Sequence, residues 1–272
     1  MNMVFPVTDP VTPQAAAPAI LAAANLLLPS LERGQRVDAV TLRGAMETAF
    51  GASDATGAWD WKFAYEACEV ATVLFLRKYG KALFRKAASA PARISVLAKI
   101  SGLLPTQTRR SEESQNFQQF STPIPLGLAA LTAAAITPDD RVLEPSAGTG
   151  LLAILAQIAG GSLILNELAD TRADLLAQLF PAFAVSRFDA AQIDDYLAPD
   201  AVPSVVLMNP PFSIIAMCAW PSRPMTSAPP SGSAMRSARL RKCAIPPTMP
   251  AIASHHGWGT LWCHGRKRRG HS

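Results

Sequence analysis

From Pro123 to Met208 the chain alternates apolar helical segments with short runs rich in leucine and β-branched residues. Leu126–Ile136 reads as a helix, Arg141–Glu144 as a strand and Leu151–Ala159 as a helix. Ser162–Asn166 reads as a strand, Thr171–Leu179 as a helix, Val185–Phe188 as a third strand and Ser204–Met208 as a fourth. Helices between successive strands carry the chain back to the same edge, so the strands run parallel. The expected fold class is α/β with a doubly wound sheet. Ligands of such sheets bind beyond the carboxyl ends of the strands.

The rest of the chain has a different texture. Residues 1–18 are rich in Pro, Thr and Ala and are expected to form a flexible lead-in. Residues 19–104 form a helical accessory domain. Its first helix is interrupted near Pro29; a second, Val40–Phe50, is capped by Asp38. In a third, Trp59–Lys86, the residues Trp61, Tyr65, Cys68, Thr72, Phe75, Leu76 and Tyr79 recur at three- and four-residue steps. Ile94–Leu104 is a fourth. No Cys/His, Ser/His or acidic pair in this region suggests catalysis. Residues 105–118 are a polar linker, 119–213 the α/β domain and 214–272 a tail with little order.

Charge divides the chain in the same place. Residues 1–212 carry 16 Lys+Arg and 20 Asp+Glu, a net of −4, whereas residues 213–272 carry 9 Lys+Arg and no acid. The body therefore lacks the positive field of a self-sufficient nucleic-acid binder. The four Cys give no disulfide framework. The N-terminus has no basic region before an apolar core, and Leu151–Leu165 is broken by Gln157 and Gly160-Gly161. A cytoplasmic protein without a membrane anchor is expected. His255, His256, Cys263 and His264 lack paired-ligand spacing, so no metal is expected.

Five segments carry candidate chemistry. After the first strand comes Glu144-Pro145-Ser146-Ala147-Gly148-Thr149-Gly150. Small residues there let the backbone approach a ligand, and Glu144 suits a positively charged one. Gly148-x-Gly150-x-x-Ala153 also fits a dinucleotide fingerprint or a plain tight turn. Glu167 ends the second strand, where a carboxylate accepts from both ribose hydroxyls or is simply solvated. Asp189, after Phe188, suits the exocyclic amine of an adenine, or a helix cap. Asn209-Pro210-Pro211-Phe212 follows the fourth strand. Its prolines remove two N–H donors, leaving carbonyl oxygens to face a substrate. The Asn209 side chain and the Pro210 carbonyl can each accept from one –NH2 group, while Phe212 stacks on the planar ring that bears it. Gln119-Phe120-Ser121-Thr122-Pro123 alone is a helix start.

Taken in order, these segments resemble the amino-methylating DNA methyltransferases of the N6-adenine type, gamma subgroup, over about residues 115–213. The run from Gln115 to Gly150 is similar to the methylase region of large bacterial proteins that carry a strawberry-notch-type helicase, although no helicase motif is present here. The resemblance implies an incomplete Rossmann-like sheet and S-adenosylmethionine as methyl donor. It implies Phe120, Thr122 and Glu144 at the methionine end, Gly148 and Gly150 beside the cofactor, Glu167 on the ribose and Asp189 on the adenine. Asn209, Pro210 and Phe212 would hold a base flipped out of DNA. RNA or a protein glutamine as substrate, a nicotinamide-dependent oxidoreductase and a cofactor-binding remnant without turnover stay open as alternatives.

Such a domain needs about three more strands after Phe212. Residues 214–272 hold many prolines and no carboxylate, and end near Arg266-Lys267-Arg268-Arg269. A reading frame shifted after Ser213 accounts for this; so does a basic phosphate-binding arm. Coding DNA in which no single-base shift restores a strand-rich continuation removes the first account.

Overall fold

A computed structural model describes residues 13–106, 121–209 and 262–263. Four helices come first: α1 (Pro13–Glu32), α2 (Ala39–Phe50), α3 (Trp61–Lys86) and α4 (Ala90–Ser101). Asp38 and Asp60 cap α2 and α3, accepting from the backbone N–H of Thr41 at 2.8 Å and of Phe63 at 2.9 Å. Each cap satisfies one of the donors that a helix start leaves without an internal partner.

The first helix departs from the sequence expectation. It begins at Pro13, so residues 13–18 are helical rather than part of a loose lead-in, and it runs through Pro18 and Pro29 without a break. Each of those prolines lacks a backbone donor. The offsetting force is packing: Ile20, Ala23, Ala24 and Leu27 are completely buried, and α1 lies along α3.

The second half alternates as α5 (Ile124–Ala134), β1 (Arg141–Glu144), α6 (Leu151–Ala159), β2 (Ser162–Asn166), α7 (Asp170–Leu179), β3 (Val185–Ser186), a short α8 (Ile193–Tyr196) and β4 (Val205–Met208). The order of strands and helices is as expected, except that β3 stops two residues before Phe188 and α8 was not foreseen. The fold is α/β, with four parallel strands in the order β3-β2-β1-β4. A two-residue strand, β5 (Trp262–Cys263), pairs antiparallel with β4, so the tail contributes one short edge segment. β1 lies between β2 and β4, and the chain changes direction across the sheet at that point. In open parallel sheets this is where a crevice forms beyond the carboxyl ends.

One apolar core runs through both halves, from Ile20 and Leu27 through Val70 and Leu76 to Leu155, Leu175 and Phe180. The long α3 joins them by packing on α1 and on α6, while α1 also meets α7. Among the described residues no helix is long and apolar enough to cross a membrane.

Candidate functional site

The carboxyl ends of β1, β2 and β3 are tied together by Asn166, only 1% exposed. Its Nδ2 donates to the carbonyls of Pro145 at 2.9 Å and Phe188 at 2.8 Å. Its Oδ1 accepts from the Ser186 hydroxyl at 2.8 Å and the Phe188 N–H at 2.9 Å. A side-chain amide with four partners has its full hydrogen-bonding capacity engaged. The three strand ends that carry Glu144, Glu167 and Asp189 are therefore held in one register.

The turn after β1 is built on the same edge. Ala147 N–H donates to the Asn166 carbonyl at 2.9 Å, and Gly150 N–H to the Ala147 carbonyl at 2.9 Å. Gly148 and Gly150 have φ of 58° and 88°, in the left-handed region that favours glycine. Their packing differs. A Cβ on Gly148 would meet nothing closer than Arg172 Nη1 at 3.9 Å, whereas one on Gly150 would lie 2.5 Å from the buried Phe180 ring. Gly150 thus lets the turn sit directly on the core.

Glu167 is buried, with both oxygens engaged: Oε2 accepts from Gly148 N–H at 2.8 Å and Oε1 from Ala169 N–H at 3.0 Å. Each carboxylate oxygen keeps a second lone pair for a ligand hydroxyl. Glu144 is 2% exposed, and its Oε2 has no hydrogen-bond partner among the described residues. Burial, reinforced by the neighbouring Glu167 charge, pushes the Glu144 carboxyl well above its ordinary range, against a smaller opposing pull from the Ala153 N–H.

The sign of this shift gives a testable consequence. As pH rises past 4.5 the unfolded chain releases the Glu144 proton first. Stability therefore falls from that point up to the folded-state value, and below it both states keep the proton and carry no penalty. Glu144→Gln should melt with the wild type near pH 4 and a few degrees above it near pH 8. Thermal scans at the two pH values check this; a variant melting lower near pH 8 contradicts it.

Asp189 is exposed, and its Oδ1 accepts from Ala191 N–H at 2.9 Å, capping a 3-10 turn at Ala190–Gln192. Phe188 beside it stacks on Tyr196, with centroids 4.4 Å apart and planes 9° from parallel. Asn209 follows β4 and is half-buried; the register Val142↔Val205 and Leu143↔Val206 sets that strand end beside the end of β1. Thr122 is buried at the start of the segment leading into α5. Phe120, Pro210 and Phe212 lie outside the described residues, as do most of the linker and tail.

Several residues at the site escaped the sequence reading, all of them through α3 or its partners. Thr149 of the turn donates its hydroxyl to Glu69 Oε2 at 2.7 Å. One helical turn earlier, Glu66 Oε1 accepts from Arg172 Nε at 2.6 Å, with Lys62 Nζ 4.0 Å away. All four charged groups are buried. Burial works against the Arg172 charge, but Glu66, Glu69 and Glu167 together hold the guanidinium above its usual range. A signal was present. Glu69 sits four residues after Tyr65 and three before Thr72, on the buried stripe of α3, and Arg172 lies on the stripe of Leu175, Leu176 and Leu179. A charge on such a stripe needs a buried partner.

Among the described residues no three His, Cys, Asp or Glu side chains are grouped to hold a metal ion. Comparison with protein-family models, with curated proteins and with solved structures found no match to this chain.

Proposed function

We propose that the chain is a Rossmann-like methyltransferase domain that binds S-adenosylmethionine and directs its methyl group to an exocyclic amine, with adenine N6 in DNA as the leading substrate. The observation that carries this reading is the convergence of Glu144, Gly148, Glu167, Asp189 and Asn209 on the carboxyl ends of neighbouring parallel strands. When bound, the cofactor supplies an electrophilic methyl on a sulfonium. The residues of the chain supply position. Glu144 faces the charged end of the cofactor, Glu167 accepts from the ribose and Asp189 from the adenine amine. Asn209 accepts a hydrogen bond from the target amine and aims its lone pair, an effect of orientation rather than covalent catalysis.

The glycine turn argues against a nicotinamide dinucleotide. A pyrophosphate at this turn uses the backbone N–H groups that open the following helix. Here the Gly148 N–H is already bonded to Glu167 Oε2 at 2.8 Å, and Glu144 lies buried at the same strand edge. With that donor taken by a carboxylate, the turn offers a pyrophosphate one N–H fewer and a negative neighbour.

Calorimetry with S-adenosylmethionine and with NAD separates the two cofactors. Transfer of tritiated methyl to DNA, RNA and protein then identifies the acceptor. The expected result is binding of S-adenosylmethionine alone and label in DNA. Asn209→Ala should lower the transfer rate about 100-fold, roughly 2.7 kcal/mol of barrier, while leaving cofactor affinity within about two-fold. Binding of NAD alone, or an Asn209→Ala protein with unchanged turnover, defeats the reading.

A further inference from the structure

Charge is divided unevenly between the two halves of the structure. Residues 121–209 hold three Lys+Arg and ten Asp+Glu, whereas residues 70–106 hold seven Lys+Arg and no acid. The basic stretch comprises the second half of α3 and all of α4. Lys81, Arg85 and Lys86 of α3 and Lys99 of α4 are exposed, and none of them has an ion-pair partner among the described residues. Arg43, Lys78 and Arg187 are exposed too but are paired, with Asp54 at 3.3 Å, Glu32 at 2.7 Å and Asp170 at 2.8 Å.

Most of these cations form one patch. Lys81 and Arg85 stand four residues apart on the same face of α3, and Lys86 follows. Arg93 closes the corner from α4: its Nε donates to the Ala87 carbonyl at 2.8 Å, and its guanidinium lies 5.6 Å from the Phe84 ring centroid. A helix dipole favours cations in the last turn, which accounts for Arg85 and Lys86 but not for Lys81 or for the lack of any acid along α4. The patch also has a fixed place relative to the strand ends. α3 meets the glycine turn through Glu69 and packs on the end of α6 through Gly80, where a Cβ would lie 2.5 Å from Ile158 Cδ1. From Glu69 to Arg85 is about 24 Å along the helix axis. Duplex DNA covers that length in about seven base pairs.

We propose that the α3–α4 corner, centred on Lys81, Arg85 and Lys86, grips the phosphate backbone of a DNA duplex whose target base lies at the strand ends. This rests on the DNA methyltransferase reading above. The acid surplus of the α/β half repels phosphates from its own surface, so the duplex is held by the unpaired cations of the helical half. The contacts fix where the duplex lies and carry no sequence information.

The test uses the full chain and a short DNA duplex, with affinity followed by fluorescence anisotropy between roughly 50 and 200 mM salt. Lys81→Gln/Arg85→Gln removes two exposed charges. It should weaken DNA about ten-fold or more at the low-salt end and flatten the log–log salt slope by about two, while S-adenosylmethionine affinity stays within about two-fold. Arg43→Gln/Arg187→Gln changes the net charge equally at cations that already hold acidic partners, and should alter DNA affinity by less than about two-fold. No loss in the first variant overturns the inference, as does equal loss in both. Tighter binding of polyglutamate than of DNA assigns the corner to an acidic protein and overturns it as well. On the unmodified chain, the duplex should shield Lys81 and Lys86 from an amine-acylating reagent; equal acylation with and without DNA overturns the inference. A chain that transfers methyl to RNA or protein but not to DNA instead defeats the substrate reading on which it stands.

Discussion

Arg172→Leu should cost about 3–5 kcal/mol of unfolding free energy, the largest single loss expected in this chain. Arg172 and Glu66 are both buried, and Nε lies 2.6 Å from Oε1. Removing the guanidinium leaves Glu66 in a low-dielectric interior facing Lys62 at 4.0 Å, with its other oxygen already without a hydrogen-bond partner among the described residues. The carboxylate must then take up a proton or draw in water, and both cost stability. The same loss should spread to the turn, because Glu69 and Glu167 also lie within the field of Arg172. The double replacement Glu66→Leu/Arg172→Leu removes both charges and should recover most of the loss, since a buried ion pair exchanged for apolar groups of similar volume is often near neutral. Urea unfolding of the four proteins in that cycle measures it. A single variant within about 1 kcal/mol of wild type, or a double variant no better than the single, refutes the account.

Gly150→Ala ranks second. The added methyl would lie 2.5 Å from Phe180 Cε2 and 3.1 Å from Leu176 Cδ2, and the φ of 88° is unfavourable for any residue with a Cβ. Left-handed backbone costs an alanine about 1–2 kcal/mol, and overpacking a close-packed core adds about 1–3. Phe180 is 1% exposed with Leu176 against it, so the ring cannot move aside into solvent. Gly148→Ala is the internal control. Its φ is 58° and its nearest new contact is 3.9 Å away, so it carries only the backbone cost of about 1–2 kcal/mol. Thermal unfolding should rank wild type above Gly148→Ala and Gly148→Ala above Gly150→Ala. Equal losses in the two variants would show that backbone conformation alone governs the turn.

The two glycines also show how far local reading reaches. Both stand in one motif and look equivalent in sequence, yet one sits on the aromatic core and the other faces the Arg172 network. The strand and helix pattern was legible nearly to the residue: β1, α6 and β2 fall where apolar periodicity puts them. The cap at Asp38 follows from local chemistry in the same way, whereas the third helix starts at Trp61 rather than Trp59, with Asp60 as its cap. Pro29 was read wrongly because a missing donor is a local fact, and burial of the Ile20 and Leu27 face against α3 outweighs it.

By itself, the sequence determined the parallel strands, their separating helices and the small-residue turn after Glu144, because periodicity and turn chemistry act over a few residues. It also set Glu144, Glu167 and Asp189 at or just past strand ends. The tertiary structure alone decided which distant groups meet there. Thr149 finds Glu69 across 80 positions and Arg172 finds Glu66 across 106. A pattern of apolar residues states which face of a helix is buried. The energy of a buried charge depends on the partner opposite it, and here that partner comes from the other half of the chain.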